Sequence, residues 1–128
     1  TGQQGLIDMF QNFTLFFDRN GSQGVNFATY GDNTDLETGL SLNQWHHVAL
    51  SWDVGDSIDA WVDNTQVANN QSYTNTPNNS ANTPLTLFCE EEVGSGNSSL
   101  DGRIDEVRVI QSAIDSSQVD SLFNNNSL

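Results

Sequence analysis

The apolar residues of this chain come in short runs with a period of two, and no helical period appears before residue 116. That pattern constrains the fold more than any other feature, because alternation places successive side chains on opposite faces of a strand. LIDMF (Leu6–Phe10), FTLFFDR (Phe13–Arg19), GVNFATY (Gly24–Tyr30), Trp45–Asp53, SIDAWVD (Ser57–Asp63), TQVAN, LTLFC (Leu85–Cys89) and Gly102–Gln111 all read as strands. In the second, Phe13, Leu15 and Phe17 share a face; in SIDAWVD, Ile58, Ala60 and Val62 oppose Asp59, Trp61 and Asp63. Asn20-Gly21 and Asn64-Thr65 carry turn chemistry between strands. Polar connections are expected over Gly31–Asn43, Asn69–Thr83 and Glu90–Leu100.

One helix is expected, Ser116–Phe123, with Asp115 as its cap and Gln118 completing a capping box. Val119, Leu122 and Phe123 form its packing stripe. Strands this short need a second sheet to bury their apolar faces, and no βαβ rhythm is present. The expected fold is all-β: a two-sheet antiparallel β-sandwich of jelly-roll type with a short C-terminal helix.

A chain of 128 residues fits a single domain spanning 1–128. Leu, Ile, Val and Phe supply 32 of them, enough for a modest core. Seventeen acids stand against three arginines and no lysine, a net charge of −14. Such a chain repels nucleic acid and anionic membrane, so neither is an expected partner. No apolar run is long enough to insert in a membrane as a helix. Cys89 is alone, which rules out an intramolecular disulfide.

His46 and His47 are adjacent in a strand, so they face opposite ways and make no joint metal site. A structural pair is expected, with His46 on the side of Val48, Leu50 and Trp52, and His47 on the side of Trp45 and Ala49. Glycoside hydrolysis needs two carboxylates opposed across a cleft. Asp105 and Glu106 are strand neighbours that diverge, and Glu90, Glu91 and Glu92 run into a glycine-rich loop. No catalytic residues are assigned, and the chain is not expected to be an enzyme.

W-H-H-V-A-L-S-W-D, followed by A-W-V-D-N-T-Q-V, resembles the central strands of laminin G-like domains in the concanavalin A-like lectin/glucanase superfamily. Asp63-Asn64 stands where that family has a D-G-type turn. Leu100–Phe123 resembles the family's last long strand and terminal helical turn. The match is good from Trp45 to Phe123 and loose over the first forty residues. The resemblance implies a secreted or cell-surface module, part of a larger protein, that lacks an N-terminal strand. It also implies an uncovered sheet edge available for self-association.

The expected partner is a polysaccharide or glycoprotein. Trp61, flanked in register by Asp59 and Asp63, is the first-choice sugar platform, with Trp45 and Tyr30 as others. The alternatives are a structural or protein-interaction module, and a fragment of a polysaccharide-degrading enzyme. Calcium is the expected cofactor, held by Glu90, Glu92 and Asp101 with oxygens from Asp32.

Overall fold

Each strand forms where alternating residues find a partner, and several breaks fall at left-handed residues, among them Gln11, Gly31, Gly55, Asp63, Asn64 and Phe88. The computed structural model describes residues 4–9, 11–17, 23–29, 31–78, 83–90 and 98–124. In chain order the elements are β1 (Gln4–Met9), β2 (Phe13–Phe17), β3 (Val25–Thr29), β4 (Asp32–Glu37), β5 (Val48–Asp53), β6 (Ser57–Val62), β7 (Thr65–Ser72), β8 (Thr86–Leu87), β9 (Cys89–Glu90), β10 (Ser98–Ser99) and α1 (Ser116–Asn124). They gather into two units, Thr1–Leu42 with Asn75–Val107, and Asn43–Thr74 with Arg108–Leu128.

The first unit holds a five-stranded antiparallel sheet in the order β4-β3-β2-β1-β8, and the β9–β10 ribbon. All of β3 is buried. Val25 and Phe27 lie on one face at 1% and 0% exposure, and Asn26 lies on the other at 0%. A buried amide must be hydrogen-bonded, and Asn26 Nδ2 donates to Asp35 Oδ1 on β4. Asp8 is equally buried and accepts from Thr14 Oγ1 on β2, while its carbonyl accepts from Thr86 Oγ1 on β8. Gly24 is needed where β4 closes on β3: a Cβ there would lie 2.0 Å from the Glu37 carbonyl oxygen.

The second unit holds the antiparallel sheet β5-β6-β7 and α1. Asp63 and Asn64, at φ 48° and 63°, turn β6 into β7. Both residue types tolerate that conformation, as the turn expected there requires. Asp115 caps α1 as expected. Its Oδ1 accepts from the Gln118 backbone N–H at 2.9 Å, and Gln118 Oε1 accepts from the Asp115 N–H at 2.9 Å. Val119 is fully buried.

The all-β class, two antiparallel sheets and one short C-terminal helix are the components of the expected β-sandwich. Four boundaries differ. The polar connection Gly31–Asn43 contains β4, which is anchored by buried Leu36 and otherwise faces Asp32, Asn33 and Asp35 to water. Trp45–His47 lie outside β5, which begins at Val48. Strand β7 runs on to Ser72, so the loop starts later than Asn69. Phe88, at φ 67°, divides Leu85–Cys89 between β1 on one side and β10 on the other.

A fifth expectation fails outright: Gly102–Gln111 makes no strand pairing among the described residues. Glu106 sits at φ 52°, which breaks the extended backbone at its centre.

Candidate binding site

Trp61 lies opposite Ala49 on β5 and Gln66 on β7, at the middle of the three-stranded sheet. Its ring is 2% exposed, and its Nε1–H donates to Ser116 Oγ of α1 at 3.3 Å. The sugar platform expected at Trp61 is therefore corrected: it is a core residue. The stripe of α1 needs an apolar face to bury, and the Trp61 side of the sheet provides it. Three contacts hold the helix there. Besides the Ser116 bond, the His47 ring meets Phe123 edge-on at 5.6 Å, and Asn64 Nδ2 donates to Asp120 Oδ1 at 2.8 Å.

Asp59 and Asp63, the expected flanks of that platform, do structural work. Asp59 Oδ1 accepts from the Asn70 backbone N–H at 2.8 Å and from Gln66 Nε2 at 3.2 Å. This fastens β7 where the β6–β7 register shifts on both sides of Ala60. Asp63 spans the two histidines: Oδ1 accepts from the His47 backbone N–H at 2.9 Å, and Oδ2 lies 2.6 Å from His46 Nδ1. An ionised carboxylate only accepts, so the His46 Nδ1 carries the proton in that contact.

The two histidines precede β5, and their environments differ. His46 has its carboxylate. His47 Nδ1 is buried and has no hydrogen-bond partner among the described residues. Burial holds the His47 pKa below the ordinary histidine range; nearby Asp63 opposes the shift and Arg108 adds to it.

Of the expected aromatic platforms among the described residues, Trp45 is the exposed one, at 66%. It directly precedes the histidine pair, and Asn43, at φ 59°, and Gln44 lead into it. An exposed ring beside exposed amides, next to a His46 ring and a His47 backbone N–H both held by Asp63, can stack on an apolar sugar face with little ordering cost. Tyr30 lies outside the described residues.

The expected calcium ligands do not form one site. Asp101 sits at the Gln4 end of β1, where its N–H donates to Gln4 Oε1 at 3.2 Å. Asp32 pairs with Thr29 at the other end of the sheet, on β4, three strands from β1. Three interstrand spacings amount to about 14 Å and five residues along a strand to about 17 Å. One ion, with oxygens at about 2.4 Å, cannot take both. The inclusion of Asp32 in that ligand set is thereby corrected. Glu92 and the Glu90 side chain lie outside the described residues. Among the described residues no three His, Cys, Asp or Glu side chains gather as metal ligands. Asp105 and Glu106, the acids weighed for hydrolysis, are both exposed.

An all-β chain with two antiparallel sheets, one of them covered by a helix, has the components that define the class, a β-sandwich module. Its residues 1–120 match the model of a laminin G-like family described as the concanavalin A-like lectin/glucanases superfamily, and the chain belongs to that family. No curated protein matches it. Among solved structures it is similar to an S-layer domain-containing protein from Clostridium thermocellum, residues 221–444, at 19% identity and a TM-score of 0.55. That alignment covers 96% of this chain and 64% of the other, so this chain spans under two thirds of its neighbour. At that identity the likeness concerns the fold. Among the described residues no helix is long and apolar enough to cross a membrane.

Proposed function

We propose that this chain is a non-catalytic module that binds a polysaccharide or the glycan of a glycoprotein, with Trp45 as the stacking platform. The observation that carries the reading is the exposure of the Trp45 ring, 66%, next to a backbone pinned by the His46–Asp63–His47 contacts. Membership of a superfamily of lectins and glucanases supports it. The printed name of the S-layer neighbour supports placing the parent protein at a cell surface or outside the cell. Recognition would be noncovalent, with ring stacking giving contact area and Asn43 and Gln44 giving hydrogen bonds.

The test is a polysaccharide panel read by tryptophan fluorescence. Trp52 and Trp61 are half-buried and buried, so Trp45 is the ring that acrylamide reaches most easily. A bound glycan should shield it, and Trp45→Ala should abolish binding while leaving the unfolding midpoint in place. Binding that survives Trp45→Ala would move the site elsewhere. Shortened glycan products after incubation would refute the non-catalytic reading. A second reading, a structural or protein-interaction module, is favoured by the exposure of Val109 and Ile110.

A further inference from the structure

Charge at the Trp45 platform narrows the class of glycan that can dock there. Asn43 and Gln44, exposed amides, precede the ring in the chain. His46 follows it, and its Nδ1 lies 2.6 Å from Asp63 Oδ2. Asn64, next to Asp63, donates to Asp120 Oδ1 at 2.8 Å, and Asn124 Nδ2 donates to the same oxygen at 2.7 Å. The unit that carries the platform, Asn43–Thr74 with Arg108–Leu128, holds six aspartates and one arginine. That arginine, Arg108, acts on the His47 ring and already has a partner within the chain.

Carboxylate and sulfate groups are recognised by arginine forks and lysine ammonium groups. The whole chain has three arginines and no lysine against seventeen acids. An acidic polysaccharide would bring a row of anions to a surface with too few cations to neutralise them. At about 0.01 M salt charges act over about 30 Å, so the acidic excess of the protein adds to Asp63 and Asp120. An uncharged sugar ring meets no such penalty. Its apolar face stacks on the indole, and its hydroxyls hydrogen-bond to the Asn43 and Gln44 amides. We infer that Trp45 takes a polysaccharide without carboxylate or sulfate groups, and that the protein's charge excludes the acidic ones. The inference rests on the glycan reading of Trp45.

The full chain is titrated with matched pairs of polysaccharides, and tryptophan fluorescence reads the binding. The pairs are hydroxyethyl and carboxymethyl cellulose, neutral and sulfated galactan, and methyl-esterified and de-esterified pectin. EDTA removes bridging cations. In at least one pair the neutral member should bind, and Trp45→Ala should abolish that binding. Its acidic partner should bind about tenfold more weakly, or not at all, at about 0.01 M salt, and about 1 M salt should close most of the gap. Gln44→Lys should narrow it too, because it sets a cation at an exposed position next to the ring. An acidic member that binds at low salt as tightly as its neutral partner overturns the inference and leaves the glycan reading standing. So does a gap that neither salt nor Gln44→Lys narrows, since exclusion is then by shape. If no member of any pair binds, the glycan reading falls and this inference with it.

Discussion

Replacing Asp63 tests the idea that one carboxylate fixes the backbone beside Trp45. Asp63 does three things: it accepts from the His47 N–H at 2.9 Å, it lies 2.6 Å from His46 Nδ1, and it occupies φ 48°. Depriving the backbone N–H of its acceptor costs about 1–2 kcal/mol. The histidine contact is worth less, about 0.5 kcal/mol, because the Asp63 side chain is 43% exposed and solvent screens it. Alanine at that φ adds about 1 kcal/mol of backbone strain that aspartate, asparagine and glycine largely escape. Asp63→Ala should therefore lose about 3 kcal/mol in all, or about 10 °C in Tm for a domain of this size. Asp63→Gly should lose about 2 kcal/mol, since only the bonds go. Asp63→Asn should lose about 0.5–1 kcal/mol, because its amide oxygen still accepts from the His47 N–H. Urea unfolding of the series gives the order directly. If Asp63→Gly is as stable as the wild type, or Asp63→Ala matches Asp63→Asn, the carboxylate anchor is refuted.

His47 predicts a pH dependence with a definite sign. Burial depresses its folded-state pKa, so the unfolded chain takes up the proton first as pH falls. Stability is then held in full above about pH 6.5 and declines as pH drops through the folded-state pKa; thermal melts across that range should show it, and His47→Gln should flatten the curve. Gly24→Ala should cost about 1–3 kcal/mol in denaturant unfolding, as overpacking does, because the new Cβ meets backbone oxygen. Trp61→Ala should cost about 3–5 kcal/mol and leave little folded protein at high temperature, whereas a surface platform would tolerate it. If Glu90, Glu92 and Asp101 hold calcium, Tm rises with calcium over EDTA and Asp101→Asn abolishes the rise, while Asp32→Asn retains it.

Much of the fold was legible because period-two alternation and left-handed turn residues act locally. The Asp63-Asn64 turn and the Asp115–Gln118 capping box are short-range chemistry, and both stand as read from the sequence. Strand β4 was not legible: one buried leucine in a polar run gives no alternation, and its pairing partner supplies the reason it is a strand. Trp61 was misplaced for a related cause. Alternation says which face a ring takes, but whether that face is covered depends on α1, which is more than fifty residues away. The helix stripe at Val119, Leu122 and Phe123 was the available signal, since it needed a sheet face to bury. Asp63 between flanking histidines was legible as proximity to a turn, and its acceptor role only in three dimensions.

Strand β4 also sets an order of opening. It is held to the sheet by its ladder to β3, by Leu36, and by the Asn26–Asp35 bond. As an edge with so little burial, β4 is readier than the inner strands β2 and β3 to peel away in brief local excursions. Each excursion bares the ladder groups of β3 and strips the Asn26 amide of its Asp35 acceptor in the same event. The polar edge thus works as a seal whose lifting is coupled to a buried amide. Amide protons of β4 should exchange with solvent earlier than those between β2 and β3, and protease should reach Asp32–Glu37 before either inner strand.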